Sequence, residues 1–225
     1  MFAIVDLTRP LTRRSLSYPG DRVGVAAVTA DAGTPNVRVT HLTHLDMHLG
    51  THIDAPLHFI PGGLDVASLE LALRPAVVVR TRERAVPLSV LPTQSLRDCA
   101  VLFETGWTID AESPAYFEGF PHLSPELAAE LVHRGVALVG IDSPSADPAD
   151  SALECPAHHI LLGAGIPIVE GLCNLDRIRE EPVAFWFAVF PLRLEGAEGS
   201  PVRAVALFAS PENPERKGQR SIWTK

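Results

Sequence analysis

The sequence predicts a strand-rich α/β fold in which all 225 residues form a single domain. Three observations support this prediction. Short apolar or β-branched runs recur along the chain, helix signals are few, and the 20 prolines and 16 glycines are scattered between the runs as turn residues. A hydrophobic content of 46% in a chain of this length is enough for one sizeable core.

The predicted strands are short runs rich in valine, isoleucine and phenylalanine that are bounded by turn residues. Near the N-terminus they are Phe2–Asp6 and the extended segments Val23–Thr29 and Val37–His48, and a turn is predicted at Tyr18–Asp21. Downstream, the predicted strands are Ala76–Arg80, Val101–Glu104, Val136–Ile141, Ile166–Glu170, Ala184–Phe190 and Val202–Phe208.

Helices are predicted at only a few places. The clearest begins after Ser124, which is a good N-cap, has Pro125 at its first position and is ended by Gly135. A second helix is predicted at Pro156–Leu162, and Leu69–Leu73 is a candidate for a short third. The balance of elements therefore favours a mixed fold with more strand than helix.

The composition excludes several classes of function. A net charge of −8 argues against binding to nucleic acid or to an anionic membrane surface, so we expect a small-molecule partner. No apolar stretch reaches the ~18 residues of a membrane helix and no basic leader precedes the first strand, which predicts a cytoplasmic protein. The cysteines are odd in number and widely spaced, as expected for reduced thiols: Cys99, Cys155 and Cys173.

Histidines are concentrated in one segment, since five of the nine lie between His41 and His58. Alternate side chains of a strand share a face, so an extended backbone would place these polar residues on one face: His48, His52, Asp54 and His58. Imidazole and carboxylate groups are the usual ligands of zinc and related divalent ions, so the pattern favours a metal site over a solvated strand face. His44 and Asp46 continue the pattern upstream and either orient the ligands or are solvated.

The spacing within this segment predicts a role for each residue. His52 and Asp54 are roughly 6.6 Å apart along a strand, which lets both side chains bind one ion. An intervening glycine allows the backbone to bend and bring His48 in as a third ligand. His58 follows a proline at the expected end of the strand, and it is placed for proton transfer beside the ion.

A second polar cluster lies far downstream. His158 and His159 open the second predicted helix, and Glu170 ends an apolar strand. A buried carboxylate needs a partner of opposite charge, because burial of a lone charge is costly. A metal ion is one such partner, and Arg177 or Arg193 is the other; the residues alone leave both open.

Longer motifs resemble those of a known family. The run His48–Phe59 resembles the signature H-x-G-T-H-x-D-x-P-x-H-F of the cyclase family of metal-dependent hydrolases, which includes the bacterial kynurenine formamidases. Tyr18–Asp21 resembles the family's W-P-G-D turn, Gly140–Asp147 its G-I-D-T-P-S-x-D segment, and Ser200–Ala204 its S-P-V-R-A strand. The resemblance spans nearly the whole chain.

The resemblance implies a swivelling β/β/α fold, a dimer or tetramer, and one or two divalent ions per chain, zinc first and manganese as the alternative. His48, His52 and Asp54 would hold the first ion. Asp54, His158 and Glu170 would hold the second, with His158 favoured over the adjacent histidine by its spacing to Glu170. Both clusters would therefore belong to one centre.

The resemblance also implies catalytic and substrate-binding residues. His58 would be the catalytic acid and base, and Tyr18 would line the substrate pocket where formamidases carry tryptophan. Phe59, Tyr18 and Trp107 are candidates to contact a substrate ring, and for Phe59 and Trp107 packing in the core is at least as good an interpretation. Ser143 and Ser145 either orient the substrate or cap a turn.

The activity implied is hydrolysis of a C–N amide bond in a small aromatic substrate. The leading expectation is an arylformamidase that converts N-formylkynurenine to kynurenine and formate in tryptophan catabolism. One alternative is hydrolysis of a cyclic amide or imide, as in isatin hydrolase relatives. Another is a metal-binding protein without catalysis, but structural zinc sites are usually closed and rich in cysteine, and this cluster has neither property.

Overall fold

The computed structural model describes a mixed α/β fold, as the sequence predicts, over these residues: 2–12, 14–19, 26–31, 38–149, 154–178 and 184–209. The predicted turn residues Gly20 and Asp21 lie outside this part of the chain, as do the first residues of the segments predicted from Val23 and Val37. Among the described residues, no helix is long and apolar enough to cross a membrane.

Short strands dominate the fold. The strands of the described residues are β1 (Phe2–Asp6), β2 (Ala26–Asp31), β3 (Arg38–His44), β4 (His52–Asp54), β5 (Arg74–Arg80), β6 (Ala85–Val86), β7 (Ala100–Glu104), β8 (His122–Leu123), β9 (Leu138–Ile141), β10 (Ile168–Glu170), β11 (Phe185–Pro191) and β12 (Gly199–Ala209). The apolar runs in the sequence therefore predicted seven of the eight strands of the main sheet, all except β4, within a few residues of their ends.

The main sheet closes on itself. Eight strands follow the order β1-β12-β11-β5-β7-β9-β10-β4, and β4 pairs with β12 as well, so seven strands form a barrel-like ring and β1 extends from β12. Strands β5, β7, β9 and β10 are parallel neighbours, whereas β4 is antiparallel to both β10 and β12. The seam of the ring therefore lies at β4, which carries two of the predicted metal ligands.

Both predicted helices are present. Helix α1 (Pro125–His133) begins where Ser124 Oγ accepts a hydrogen bond from the Leu127 amide at 3.2 Å. Helix α2 (Pro156–Gly163) follows the second predicted helix closely. Both helices pack against the same apolar core on the outside of the ring.

The third predicted helix, Leu69–Leu73, is wrong. The chain forms a single 3-10 turn at Val66–Ser68, where Asp65 accepts from the Ser68 amide, and it then runs extended into β5. A first helical turn is unfavourable to nucleate, and five residues offer few hydrogen bonds in return. Leu71 is 62% exposed, so burial of an apolar face does not compensate.

The strand predicted through the histidine segment is also much shorter than expected. Between His48 and Phe59 only His52–Asp54 is a strand, because Gly50 adopts φ +67° just before it and a 3-10 turn begins at Pro56. The alternation of faces holds for those three residues, since Ile53 packs into the core inside the ring. His52 and Asp54 therefore face the opposite way, toward the second predicted cluster.

Candidate metal centre and active site

The pairing of β4 with β10 brings the two predicted clusters together. Glu170 lies opposite His52 in the register, and Ile168 lies opposite Asp54. His52 Nε2 is 3.5 Å from Asp54 Oδ1 and 3.4 Å from Glu170 Oε2. All three side chains are buried, and each offers a ligand atom within 4.8 Å of the others. Because the Nδ1 of His52 contacts the Gly50 carbonyl oxygen at 3.0 Å, Nε2 is left as the ligating nitrogen.

The turn at Gly50 returns His48 to the same carboxylate. His48 Nδ1 is 2.8 Å from Asp54 Oδ1, and the His48 ring stacks on that of His58 at 4.2 Å between centroids. These three side chains form a second group whose potential ligand atoms lie within 4.8 Å of one another. The predicted bend at the glycine is therefore present, and Asp54 belongs to both groups.

Helix α2 brings His158 to the cluster from the other side. Its Nε2 lies 3.3 Å from Asp54 Oδ2 and 3.2 Å from Glu170 Oε1. Its Nδ1 contacts Asp147 Oδ2 at 2.7 Å, and the same carboxylate accepts from the amides of Ala157 and His158. The neighbouring His159 is exposed and its ring lies 5.1 Å from Phe59, so the helix directs His158 rather than His159 to the cluster.

The donor set fits a divalent cation. Both carboxylate oxygens of Asp54 and the Nε2 of His48 are buried, and none forms a hydrogen bond with a described residue, although imidazole nitrogens lie close to Asp54. A buried polar atom without a partner is costly, and one shared cation would satisfy these lone pairs together. Nitrogen and oxygen donors without a thiolate are compatible with zinc, manganese and similar ions.

The arginine partners considered for Glu170 are wrong. Glu170 contacts His52 and His158, and its Oε1 also accepts from the Ala146 amide at 2.6 Å. Arg177 and Arg193 are exposed and form no ion pair with it. The end of β10 is therefore satisfied by the histidine cluster, because the β4–β10 pairing places His52 nearer than either arginine.

Electrostatics separate His58 from the other histidines. Burial disfavours the charged form of His48, but Asp54 outweighs this and raises the pKa of His48 to about 9. Burial would raise the pKa of Asp54, but the positive charge of His48 lowers it well below its usual range. For His58, burial and the nearby positive charges of His48 and His158 outweigh Asp54 and lower the pKa to about 4. His58 is therefore neutral at neutral pH.

A cavity of about 900 Å³ opens directly onto the cluster. Its aromatic wall includes Tyr18, whose ring meets that of Phe117 edge to face at 5.4 Å, and Phe59, whose ring lies 4.7 Å from that of His158. Both residues proposed for substrate binding therefore line the cavity. Phe59 also packs against the core of the two helices, so it both lines the cavity and stabilises the fold.

For the other candidates the structure separates substrate contact from a structural role. Trp107 is not among the described residues that line the cavity, and its indole nitrogen donates to the Tyr116 carbonyl oxygen at 3.1 Å. Ser143 is fully buried and its hydroxyl donates to the Ser145 carbonyl oxygen, so it stabilises a turn. Ser145 does line the cavity, and its hydroxyl accepts from the Asp147 amide at 3.2 Å.

His44 and Asp46, which continue the alternation upstream, occupy different places in the structure. His44 is exposed at the end of β3 and takes no part in the cluster. Asp46 lines the cavity and accepts from the His48 amide at 2.9 Å, so it fixes the turn that delivers His48.

Two contributors to the site had no role in the sequence prediction. Asp147 lies within the G-I-D-S-P-S-A-D segment, so the motif contained the signal although it did not show the contact with His158. Arg9 lines the cavity from the segment after β1, and nothing in the local sequence marks it. Its contacts are with residues far away in the chain.

The barrel-like ring and the cluster of histidines and acids in an open cavity define a class of protein, the hydrolases that carry a candidate metal centre. The comparisons identify the family. The family model described as "Putative cyclase" matches residues 5–148, which is more than half of the chain. The chain therefore belongs to the cyclase family.

Curated relatives and a solved structure agree with this assignment. The chain is 37% identical over 206 residues to the kynurenine formamidase of Geobacillus thermodenitrificans, and 34% identical over 206 residues to that of Bacillus cereus. Each alignment covers 89% of this chain and 95% of the relative. Isatin hydrolase A from Ralstonia solanacearum superposes with a TM-score of 0.79 at 26% identity, over 92% of both chains.

Proposed function

We propose that this chain is a divalent-metal-dependent amidohydrolase of the arylformamidase type, which hydrolyses N-formylkynurenine to kynurenine and formate. The observation that carries the proposal is Asp54, a buried carboxylate with no hydrogen bond to a described residue, surrounded by three histidines at the floor of an aromatic cavity. Two relatives named kynurenine formamidase, at 37% and 34% identity, support the choice of reaction.

The residues that would hold the metal are those brought together at the seam of the ring. We assign His48, His52 and Asp54 to one ion, and Asp54, His158 and Glu170 to a second, with zinc as the preferred element and manganese as the alternative. A bound divalent ion supplies Lewis acidity, which polarises a carbonyl group and lowers the pKa of water to about 7.

His58 is the residue we assign to proton transfer. It lines the cavity beside His48, and its lowered pKa keeps its ring neutral and able to accept a proton from the attacking water. The same ring can then donate that proton to the nitrogen of the departing aryl amine. Tyr18 and Phe117 would hold the aryl ring above the cluster.

A panel of substrates with the metal-loaded enzyme tests the proposal. We expect turnover of N-formylkynurenine and of simple formanilides, and loss of turnover after removal of the metal by a chelator. Preferential hydrolysis of isatin or cyclic imides would favour the alternative, which the likeness to isatin hydrolase A supports. Metal retained without hydrolysis of any amide, lactam or imide would show a metal-binding protein without this catalysis.

The proposal includes a homodimer in the cytoplasm. An odd number of widely spaced cysteines supports this compartment, since it is typical of proteins that keep their thiols reduced. The outer face of β1, β12 and β11 exposes large apolar side chains: Phe2, Ile4, Trp186 and Phe190. Exposed apolar patches of this kind mark interaction surfaces, and a second copy of the chain is the occupant we assign to this one.

A further inference from the structure

One guanidinium group faces the cavity, together with four carboxylates. Arg9 is the one lysine or arginine among the described residues that line the cavity. The acidic residues along the same wall are Asp46, Asp147, Glu170 and Glu198. A guanidinium beside these carboxylates either binds a ligand or stabilises the fold. The hydrogen bonds of Arg9 distinguish the two roles.

Neutral groups hold the Arg9 side chain. Its Nε donates to the Gly171 carbonyl oxygen at 3.2 Å, and its Nη2 donates to that of Asp142 at 3.3 Å. The guanidinium carbon lies 5.1 Å from the centre of the Tyr116 ring. Within the part of the chain that the structure describes, Arg9 forms no ion pair with a carboxylate, and its Nη1 donates no hydrogen bond.

Tyr116 provides a second and independent sign of a ligand. It lines the same cavity and is only 4% exposed, yet its hydroxyl group has no hydrogen-bond partner among the described residues. Burial raises the pKa of Tyr116 to about 12, so the hydroxyl keeps its proton and remains a donor. Buried tyrosine hydroxyls usually have a partner, and here an acceptor from a ligand would supply it.

The location ties this pair of donors to the reaction centre. Gly171 directly follows Glu170, and the Arg9 amide donates to Thr51 Oγ1 at 2.8 Å, immediately before His52. Arg9 is therefore bonded to the residue before β4, through its side-chain hydroxyl, and to the residue after β10, through its backbone carbonyl. A group bound there would lie beside an amide bond presented to the cluster.

We propose that Arg9 and Tyr116 form a subsite for a carboxylate, so that the enzyme selects acidic aryl amides over neutral ones. A guanidinium is a planar fork of donors that matches a carboxylate, and a phenol adds a further donor. The inference rests on the proposed function and narrows it, since N-formylkynurenine carries a carboxylate and isatin does not.

A matched pair of substrates tests the subsite. N-formylkynurenine is compared with the same compound in which a carboxamide replaces the carboxylate. We expect wild-type enzyme to prefer the acid in kcat/KM. R9Q should lower kcat/KM for the acid about 10- to 100-fold while changing that for the neutral compound little, because a charged hydrogen bond is lost. Y116F should lower the same preference by a smaller factor.

Two further variants keep the test specific. R9K retains the charge without the fork and should keep part of the preference. R14Q is the matched control, since Arg14 is an exposed neighbour that pairs with Glu112 and does not line the cavity. Melting temperature and metal content are measured for every variant, which separates folding defects from changes of selectivity.

Binding of the product gives a readout that does not depend on turnover. Calorimetry should show weaker binding of kynurenine to R9Q than to the wild type, with no change for its carboxamide. Equal losses for acid and neutral compounds would mean that Arg9 only ties the two strands together, and the inference would be wrong. If the wild type hydrolyses formanilide but shows no preference for the acid, the subsite alone fails. Absence of turnover with every formamide would overturn the proposed function itself.

Discussion

Asp54 is the residue on which the site converges, because each of its oxygens faces at least one imidazole. His48 lies 2.8 Å from Oδ1, and His158 lies 3.3 Å from Oδ2. A single carboxylate between histidines from a turn and from a helix allows two ligand groups to share one residue. The histidines around Asp54 have two proposed roles: some would bind a cation, and one would transfer a proton.

His58 offers the sharpest test of that distinction. We expect H58A to reduce turnover about 10²- to 10⁴-fold while leaving the bound metal in place, since removal of a general acid and base has an effect of that size. Metal content by mass spectrometry and kcat with N-formylkynurenine measure the two quantities separately.

H159A is the control for His58, because His159 is exposed beside the same Phe59 ring and should be dispensable. Loss of metal in H58A would instead show that His58 is a ligand, a possibility that its position near His48 and Asp54 makes concrete. Full turnover in H58A would end the assignment of either role.

Asp147 is predicted to position His158. In D147N the one remaining oxygen can accept from one of the two backbone amides at the start of α2, but the side chain no longer offers a negative charge to the His158 Nδ1–H at 2.7 Å. We expect metal affinity to fall about 10- to 100-fold, which is typical for loss of a partner behind a ligating histidine. Competition with a chelator measures the affinity.

D65N is the matched control for this prediction, because Asp65 also accepts from backbone amides but lies at an exposed turn. A lower melting temperature of D147N with unchanged metal affinity would show that Asp147 only caps the helix.

At the scale of elements, the turn at Gly50 and the turn at Gly171 are in close contact. This contact determines the position of β4 relative to the end of β10. Gly171 has φ +65°, and a Cβ added there would lie 2.4 Å from the Gly50 carbonyl oxygen, which cannot move without shifting the turn that carries His48. We expect G171A to lower the free energy of unfolding by about 2–5 kcal/mol from strain and overpacking together. Thermal and urea unfolding measure the effect.

G165A separates strain from crowding. Gly165 has φ +76°, but a Cβ there meets nothing within 4 Å, so only the backbone penalty of about 1 kcal/mol applies. Equal destabilisation of the two variants would mean that the contact with Gly50 contributes nothing.

The elements also show what the sequence could predict. Apolar runs identified the central parallel strands of the ring because these strands are buried on both faces, as for β7, where Val101 and Phe103 face the helices and Ala100 and Leu102 face the interior. In the histidine segment the sequence predicted a bend at Gly50 but not how short the strand after it would be, because alternation alone does not fix where a strand ends. The ligands were still found, since the alternation holds within β4.

The parts of the site that the sequence missed depend on distant contacts. Arg9 meets Gly171 and Asp142 across more than a hundred residues, and no local pattern encodes such a contact. Glu170 was found, but its partner was left open between a metal and an arginine, because only the pairing of β10 with β4 decides it. The choice of His158 over His159 likewise depends on the face of α2 that packs against the ring.

At the scale of the whole molecule, the closed ring leaves one strand at its edge. Among the strands that the structure describes, β1 pairs only with β12, and the register aligns Ile4, Leu207 and Trp186 across three neighbouring strands on the outer face. Asp6 and Arg203 pair on the same face beside this apolar row. The opposite face of these strands is the core inside the ring, so the outer row is surface.

The exposed apolar area of this surface is large enough to form the centre of a dimer interface. Phe2, Ile4, Trp186 and Phe190 are 58%, 64%, 41% and 51% exposed. Together they expose roughly 400 Å², against about 800 Å² per partner in a stable interface, so neighbouring residues would form the rim. Residues 210–225 follow β12 and contain only two large apolar side chains, Ile222 and Trp223, so a second copy is the better cover.

Sedimentation of three variants tests this prediction. We expect the wild type to sediment as a dimer and I4E to shift toward the monomer, because a charge placed at the centre of an apolar interface is desolvated without a partner. L88E should leave the dimer intact, since Leu88 is 43% exposed but lies in a turn away from this face. A monomeric wild type would contradict the prediction.

If removal of residues 210–225 converted a monomer into a dimer, the chain's own C-terminal segment rather than a second copy would be the cover of this face. The I4E and L88E pair therefore asks whether the apolar row on β1 acts as a specific surface, because both variants add the same charge at a similarly exposed position.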